Sequence, residues 1–328
     1  MKVLHISFHS GCFKDQHNVL STLGFEVTNL PFYPGVYTIT REVADAFWTQ
    51  HKELINAHDY VLISDTSAIS RVILQNISEF KSKLVIWICN RFDYAMWHEP
   101  EFYALFNSFK EHPQVKITCY TFWEKIWCLK RGIDVLSAQV ITPLGKALGD
   151  TTPEGASPCH SWKEAEAEQK EVIVPGYRND VLIGEKLKTM QMSVYHGKFK
   201  NVEELSGFKA YVTQPDAMSK LFVFESIHAG IPVILPSKRR LLELCKGDYL
   251  FNLTGHGGGY MLTEDLAGLC EWYNPEHAAI RFYFDSEEEI PEIVKTIDKQ
   301  ALLPAFKAIG AKLEKEVLTK WKKLYTSF

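Results

Sequence analysis

The sequence predicts an α/β fold with two doubly wound domains, each built on a parallel sheet. Short apolar runs typical of buried strands alternate along the chain with amphipathic stretches typical of helices. The 328 residues exceed what one hydrophobic core usually organises. Residues 145–170 interrupt the alternation with Gly, Pro, Ser, Thr and charged residues, as a linker does. We therefore predict domains over 1–144 and 171–300, joined by that linker and followed by helices over 301–328.

Composition narrows the class of protein. Apolar residues make up 46% and charged residues 23% of the chain, which is ordinary for a globular protein. The formal charge of −4 argues against a nucleic-acid partner, because such proteins usually carry a basic excess. The seven cysteines form no CxxC pair and no metal-ligand spacing, which favours a reducing compartment and no metal site. We expect a cytoplasmic protein without a transmembrane segment, and leave peripheral membrane attachment and oligomeric state open.

The first domain is predicted to contain five or six βα repeats. Its strands and helices are expected at residues 2–8, 13–23, 25–30, 41–57, 60–64, 67–80, 84–89, 99–111, 115–120, 122–131 and 140–142. His9 follows the first strand in a tight loop, at the strand end where open α/β sheets bind ligands. This histidine is a candidate general base or acceptor contact, and a solvated loop histidine is the alternative.

A dense group of polar and aromatic residues follows the apolar strand at 84–89. Such a group at the carboxyl end of a strand is typical of a binding site. Asn90 and Arg91 are candidate substrate contacts, and Asp93 and His98 are the best carboxylate and imidazole candidates for proton transfer. The alternative is an ion pair between Arg91 and Asp93 that only braces the loop.

The second domain is organised around residues 209–237, KAYVTQPDAMSKLFVFESIHAGIPVILPS. The pattern predicts a β-α-β unit with a glycine stop after its helix, at residues 209–213, 219–229 and 231–235. Ser219 is the predicted N-cap of the helix. Glu225 is an acid on a helix that is otherwise mostly apolar, and burying it is costly unless water or a hydrogen-bond donor faces it.

Within this unit, FESIHAGIPVI is similar to the C-terminal signature of GT-B glycosyltransferases, a Glu followed by Ala-x-Gly-x-Pro-Val-Ile. The resemblance implies two Rossmann-like domains that face a cleft, a nucleotide-diphosphate sugar held by the second, and C-terminal helices that cross back to the first. Glu225 would hold the ribose hydroxyls, and Met218, Ser219 and Lys220 would lie beside the diphosphate. Helix N–H groups and the macrodipole attract phosphate, and a carboxylate can accept two hydroxyl protons.

Two further stretches of the second domain resemble donor-binding segments of these enzymes. Gly176, Arg178 and Lys186 look like the Gly-Arg turn and the lysine that contact the diphosphate. A solvated helix face is the alternative for Lys186. His196 and Gly197 fall in the loop through which these enzymes hold the nucleotide base by backbone groups.

The leading hypothesis is a glycosyltransferase that moves a sugar from a nucleotide-diphosphate sugar to a carbohydrate, lipid-linked or small-molecule acceptor, without a metal or a cofactor. Asp93, His9 and Arg178 are its predicted catalytic residues. Many retaining members carry a second Glu where this chain has Ala217, so neither retention nor inversion is implied. The alternatives are a sugar-nucleotide epimerase of the same architecture, a non-catalytic scaffold for sugars or a partner protein, and an ordinary β-α-β crossover in which Glu225 is solvated.

Overall fold

A computed structural model describes most of the chain and divides it into two compact units. The described residues are 1–33, 39–90, 92, 99–146, 170–174, 178–196, 202–215, 217–218, 220–246 and 263–328. Unit 1 consists of Met1–Leu144 and Glu314–Phe328, and unit 2 consists of Gly145–Leu313. Each unit contains its own sheet.

The sheet of unit 1 has six parallel strands in the order β2-β1-β3-β4-β5-β6. The strands are β1 Lys2–Ser7, β2 Glu26–Pro31, β3 Tyr60–Ile63, β4 Lys83–Ile88, β5 Val115–Cys119 and β6 Gln139–Val140. Strand β1 pairs with β2 on one side and with β3 on the other, so the direction of winding reverses between β1 and β3. In open α/β sheets, this switch point is where ligands bind, outside the carboxyl ends of the strands.

Helices of unit 1 connect these strands in the order expected for a doubly wound sheet. They are α1 Ser10–Thr22, α2 Arg41–Asn56, α3 Arg71–Leu74, α4 Pro100–Phe109 and α5 Phe122–Lys130. The helix expected over 67–80 is wrong in length, because a 3₁₀ turn at Ser67–Ser70 is followed only by the single turn of α3. The side-chain amide of Asn76 donates to the carbonyl of Val72 (2.9 Å), and such local bonds compete with the helical ladder.

Unit 2 repeats the plan, and its described residues form five parallel strands in the order β11-β10-β9-β7-β8. Its strands are β7 Lys170–Val174, β8 Val194–His196, β9 Phe208–Val212, β10 Val233–Pro236 and β11 Arg281–Phe284. Its helices are α6 Arg178–Thr189, α7 Val202–Ser206, α8 Leu221–Ala229, α9 Lys238–Lys246, α10 Glu264–Gly268 and α11 Ile290–Thr296. The switch point here lies between β7 and β9, and α8 is the helix that follows β9.

A last helix, α12 Lys299–Thr326, supplies residues to both units. Within unit 1, the buried ring of Trp321 packs edge-on against Trp87, with ring centroids 5.6 Å apart. Tyr325 packs in the same way against Tyr60, at 4.9 Å. The apolar face of residues 314–328 is therefore part of the core of unit 1.

Among the described residues, no helix combines the length and the apolarity that a bilayer crossing requires.

Candidate functional site

Helix α8 begins at the carboxyl end of β9, next to the switch point of unit 2. Its first residue is Leu221 and its N-cap is the extended residue Lys220 (φ −139°). The predicted N-cap, Ser219, is therefore wrong, and residue 219 itself lies outside the described residues. The first helical bond runs from the Val223 amide to the Lys220 carbonyl (3.0 Å). Lysine has no acceptor, so the N-cap side chain does not occupy the amides of the first turn.

The loop before α8 is held by a segment that follows α10. The indole of buried Trp272 donates to the carbonyl of Ala217 (2.9 Å), and the amide of Glu271 donates to the carbonyl of Met218 (3.2 Å). Met218 is buried, and its sulfur lies 3.2 Å from the thiol of Cys270. These contacts fix the backbone that leads into the helix, which keeps the first-turn amides in one orientation.

Glu225 lies in the second turn of α8 and is only 8% exposed. The alternative of a solvated Glu225 is therefore wrong. Gly145, the first residue of the predicted linker, packs directly on this turn with a left-handed backbone (φ +75°). A Cβ atom at residue 145 would lie 2.4 Å from the carbonyl carbon of Phe224, so only glycine fits there.

A buried arginine lies behind α8. Arg281, at the start of β11, donates through its guanidinium to the carbonyl of Val223 (2.9 Å) and to the hydroxyl of Ser226 (3.1 Å). Burial lowers the pKa of Arg281 to about 10, so the group still carries its charge at neutral pH. No predicted site included this residue, although an arginine at the start of the apolar strand RFYF was a visible signal.

The structure describes only part of the other residues that were predicted to bind the donor in unit 2. Arg178 is the first residue of α6 and His196 is the last of β8, and the structure describes the backbone of both but not their side chains. Gly176 and Gly197 lie outside the described residues.

Lys186 is engaged with carboxylates. Its amine lies 2.7 Å from a carboxylate oxygen of Glu288 and 3.1 Å from one of Glu287, and these bonds raise the pKa of Lys186. A diphosphate would have to compete with both glutamates, so the predicted contact between Lys186 and the donor stays a prediction.

The switch point of unit 1 is lined by a network of polar side chains at the ends of β1 and β3. The hydroxyl of Ser64 donates to that of Ser7 (3.0 Å), and Nε2 of His5 lies 2.8 Å from the Ser64 oxygen. Burial lowers the pKa of His5 to about 3, so this imidazole is neutral. The amide of His9 donates to the Ser7 hydroxyl (3.3 Å), which fixes the start of the loop after β1.

His9 is the N-cap of α1. Its Nδ1 accepts a hydrogen bond from the amide of Gly11 (3.1 Å), while the residue as a whole is exposed. Because Nδ1 is an acceptor, a neutral His9 carries its proton on Nε2. The structure thus brings the predicted His9 to the carboxyl end of β1 with a defined ring orientation.

Three titratable residues that belong to no predicted site form a connected group at the strand ends near His9. The thiol of Cys12, in the first turn of α1, is hydrogen-bonded to Cys89 and also to His9 and Ser64. The bond from Cys89 is the main cause that lowers the pKa of Cys12 to about 5. Asp65 follows β3 with a left-handed backbone (φ 72°). Burial and then the neighbouring Cys12 thiolate raise the pKa of Asp65 to about 7, and His9 opposes them.

Cys89 completes this group from the end of β4. Its amide donates to the carbonyl of Asp65 (3.2 Å), and burial raises the pKa of its thiol well above the usual value. The Cys89 thiol donates to the carbonyl of Trp87 (3.3 Å), and Cys12 is its other hydrogen-bond partner. Cys89 is partly exposed at this strand end, whereas Cys119, at the end of β5, is buried.

The loop that follows β4 is only partly described. Asn90 follows Cys89 directly and is half-buried. Phe92 is fully buried and packs against Phe106, with ring centroids 4.9 Å apart. The predicted residues Arg91, Asp93 and His98 lie outside the described residues.

Two other features bear on ligand binding. A groove of about 310 Å³ in unit 1 lies beside Val115, at the amino end of β5, and none of the candidate residues lines it. Within the described parts of the chain, no group of three or more His, Cys, Asp or Glu side chains is arranged to hold a metal ion.

Comparison with known proteins identifies the fold. No protein-family model and no curated protein matches the chain. Among solved structures, a candidate UDP-N-acetylglucosamine 2-epimerase from Listeria monocytogenes aligns with a TM-score of 0.52 and 13% identity, over 100% of this chain and 97% of that one. A glycosyltransferase from Rickettsia africae aligns with a TM-score of 0.52 and 13% identity, over 99% and 98%. HepE from Anabaena, solved with UDP and glucose, aligns with a TM-score of 0.50 and 10% identity, over 100% of both chains.

The chain therefore has the GT-B fold, with two Rossmann-like domains, and the predicted fold class is confirmed. Identities this low establish the fold and leave the reaction to be argued from the site.

Proposed function

We propose that this protein is a glycosyltransferase that uses a nucleotide-diphosphate sugar as its donor. The observation that supports this most is helix α8, which starts at the switch point of unit 2 and carries a buried Glu225. An apolar helix has little reason to bury a carboxylate unless a hydrogen-bonding ligand or group faces it. The sequence of this helix is also the part of the chain that resembles the donor-binding signature of such enzymes.

The diphosphate of the donor would bind at the first turn of α8. The amides of this turn are not capped by the N-cap side chain, and the side chain of Lys220 adds a positive charge to this end of the helix. Met218 and Ser219 would contribute backbone groups from the preceding loop. Arg281 strengthens the site from behind, because its buried cation is bonded to the carbonyl of Val223 in the first turn. Glu225 would accept hydrogen bonds from the ribose hydroxyls.

The acceptor hydroxyl would be activated at the switch point of unit 1. Asp65 has a pKa of about 7, which suits a general base that works near neutral pH. His9 lies beside it with a defined tautomer and is the second candidate for this proton. Asp93 and Arg178 remain predicted catalytic residues that this argument does not use.

In the proposed transfer, the acceptor oxygen forms a bond to the anomeric carbon of the sugar, and the bond from that carbon to the diphosphate oxygen breaks. The acceptor proton passes to the base, and the electron pair leaves with the diphosphate. Helix amides and basic side chains stabilise the charge that develops on the leaving group. No step of this scheme needs a metal ion.

An epimerase acting on nucleotide sugars is the second candidate. It is favoured by the Listeria structure, which aligns as well as the Rickettsia glycosyltransferase does. Both candidates use the same donor site, so a binding measurement does not separate them.

The test is a panel of nucleotide sugars with UDP as the reference ligand, chosen because HepE was solved with UDP. Thermal shift and calorimetry report binding, and NMR of the reaction mixture reports the product. Release of the nucleoside diphosphate with sugar on an acceptor or on water supports a transferase, whereas an intact nucleotide with an inverted sugar carbon supports an epimerase. If no nucleotide or nucleotide sugar binds at millimolar concentration, the donor proposal is wrong and a non-catalytic scaffold is favoured.

A further inference from the structure

The thiols of Cys12 and Cys89 form a pair that the proposed sugar transfer does not use. Cys12 lies in the first turn of α1, and Cys89 directly follows β4. Each thiol is a hydrogen-bond neighbour of the other, and both lie at the carboxyl end of the same sheet, where β1, β3 and β4 are neighbours. Both are free thiols in partly exposed residues.

Backbone contacts hold this pair in place. His9 caps the amino end of α1 three residues before Cys12, and the amide of Cys89 is bonded to the carbonyl of Asp65. Because both residues are attached to the sheet through strands β1, β3 and β4, the two sulfur atoms have little freedom to separate. A disulfide requires Cys residues that already approach each other, and these two residues do so at one end of the sheet.

We propose that Cys12 and Cys89 form a reversible disulfide, and that the strand ends of unit 1 therefore contain a thiol site that responds to peroxide. The sulfur of Cys12 attacks one oxygen of hydrogen peroxide, the O–O bond breaks, and a sulfenic acid forms on Cys12 as water leaves. The sulfur of Cys89 then attacks the Cys12 sulfur and displaces the second oxygen as water. Two thiols are oxidised, one peroxide is reduced to two waters, and a dithiol reductant restores both thiols.

The charges around the pair favour this order of events. Its contact with Cys89, followed by those with His9 and Ser64, lowers the pKa of Cys12 to about 5 against the opposing effect of burial, so Cys12 is the thiolate that reacts first. The Asp65 carboxylate is the acid that faces it, and the thiolate raises the pKa of that acid in return. Once Cys12 is a sulfenic acid, its negative charge no longer raises the pKa of Cys89, which helps Cys89 to ionise and attack.

The other described cysteines provide the comparison. Cys119, Cys128 and Cys270 are buried, and burial raises the pKa of half-exposed Cys245 to about 11. A thiol with a pKa this high has very little thiolate at neutral pH and reacts slowly. Cys245 is therefore the matched control.

The test uses the full chain, reduced and then freed of reductant. The protein is treated with a few equivalents of hydrogen peroxide, blocked with an alkylating reagent and digested without reduction for mass spectrometry. The expected result is loss of two free thiols and a crosslinked pair of peptides containing Cys12 and Cys89, both reversed by dithiothreitol. Cys12→Ser and Cys89→Ser should each abolish the crosslink, and Cys245→Ser should leave it unchanged.

A second measurement on the reduced protein does not depend on any variant folding. The alkylation rate at Cys12 should change less than about twofold between pH 6.5 and 8.5, because this thiol is already ionised, while the rate at Cys245 rises about tenfold per pH unit. The proposal is overturned if peroxide gives only sulfenic or sulfinic acid on Cys12, or if Cys12 joins a different cysteine. It is also overturned if alkylation of Cys12 follows the pH dependence of an ordinary thiol. None of these results depends on whether the protein transfers sugar.

Discussion

The two units share the order of their first five strands, but different groups lie at their switch points. In unit 1 the ends of β1, β3 and β4 carry titratable side chains with displaced pKa values, which are Cys12, Asp65 and Cys89. In unit 2 the end of β9 leads into a helix whose N-cap side chain makes no capping bond, and the buried cation of Arg281 is bonded to a carbonyl of its first turn. The first arrangement suits proton and thiol chemistry, and the second suits binding of a fixed anion.

The largest expected effect concerns the contact between Gly145 and α8. Gly145→Ala should destabilise unit 2 by about 3 kcal/mol or more, because the new Cβ clashes with the helix backbone and the residue has a left-handed φ. Gly132→Ala, in unit 1, is the matched control. It has a similar φ of +69° but no atom within 4 Å of the added Cβ, so about 1–2 kcal/mol is expected. Differential scanning calorimetry of both variants makes the comparison, and equal losses would show that the packing on α8 is unimportant.

The next prediction concerns donor binding, and it compares Glu225 in the proposed donor site with a glutamate elsewhere in unit 2. Glu225→Ala should weaken the binding of UDP or of a UDP sugar by about 1–3 kcal/mol, the usual scale for lost hydrogen bonds to a charged group. Glu292→Ala, an exposed glutamate on α11, is the control and should bind normally. Calorimetric titration measures both. Unchanged affinity in a folded Glu225→Ala protein would show that Glu225 does not bind the ribose hydroxyls.

Each unit also contains a buried histidine that makes stability depend on pH. Burial lowers the pKa of His5 in unit 1 to about 3 and that of His277 in unit 2 to about 4. The folded pKa lies below the ordinary value of 6.5, so the unfolded chain takes up the proton first, and stability falls as pH falls below 6.5. Each histidine should account for about 2 kcal/mol of the loss between pH 7.5 and 5.0.

Urea unfolding at these two pH values measures that loss. His5→Gln and His277→Gln should each make the loss smaller, and His17→Gln, a half-exposed histidine on α1, should not. An undiminished loss in His5→Gln would mean that its imidazole is not kept neutral by burial.

The smallest expected effect is a change in the pH profile of the enzyme. If Asp65 is the base, kcat/KM should rise through an apparent pKa near 7. Cys12→Ser removes the neighbouring negative charge, so this apparent pKa should fall, by less than one unit. Cys245→Ser should leave the profile unchanged. If the apparent pKa stays the same or rises in Cys12→Ser, the charge of Cys12 does not raise the pKa of the catalytic base.

Much of the fold follows from the sequence because its causes are local. Alternating apolar runs and amphipathic stretches predicted the parallel sheets, and the stretch around Glu225 predicted the β-α-β unit that contains α8. The predicted start of α8 was two residues too early. Ser219 is a residue type that favours the N-cap position, but the hydrogen bond from the Val223 amide to the Lys220 carbonyl shows that the helix begins after Lys220.

The group around Cys12 could not be predicted from local pattern. Cys12, Asp65 and Cys89 are far apart along the chain and meet only because β1, β3 and β4 are neighbours in the sheet. Their pKa values depend on burial and on one another, and neither can be read from the sequence around any one of the three residues. The contact of Arg281 could not be predicted locally either, because its partner Ser226 lies 55 residues earlier in the chain.

The central claim is that a diphosphate binds at the first turn of α8. Hydrogen–deuterium exchange with and without saturating UDP tests it most directly, since bound phosphate oxygens accept bonds from the amides that would otherwise exchange. We expect the slowing to be strongest in peptides that cover Met218, Lys220 and the first turn of α8. If UDP binds by calorimetry while exchange in these peptides is unchanged, the account of the donor site is wrong.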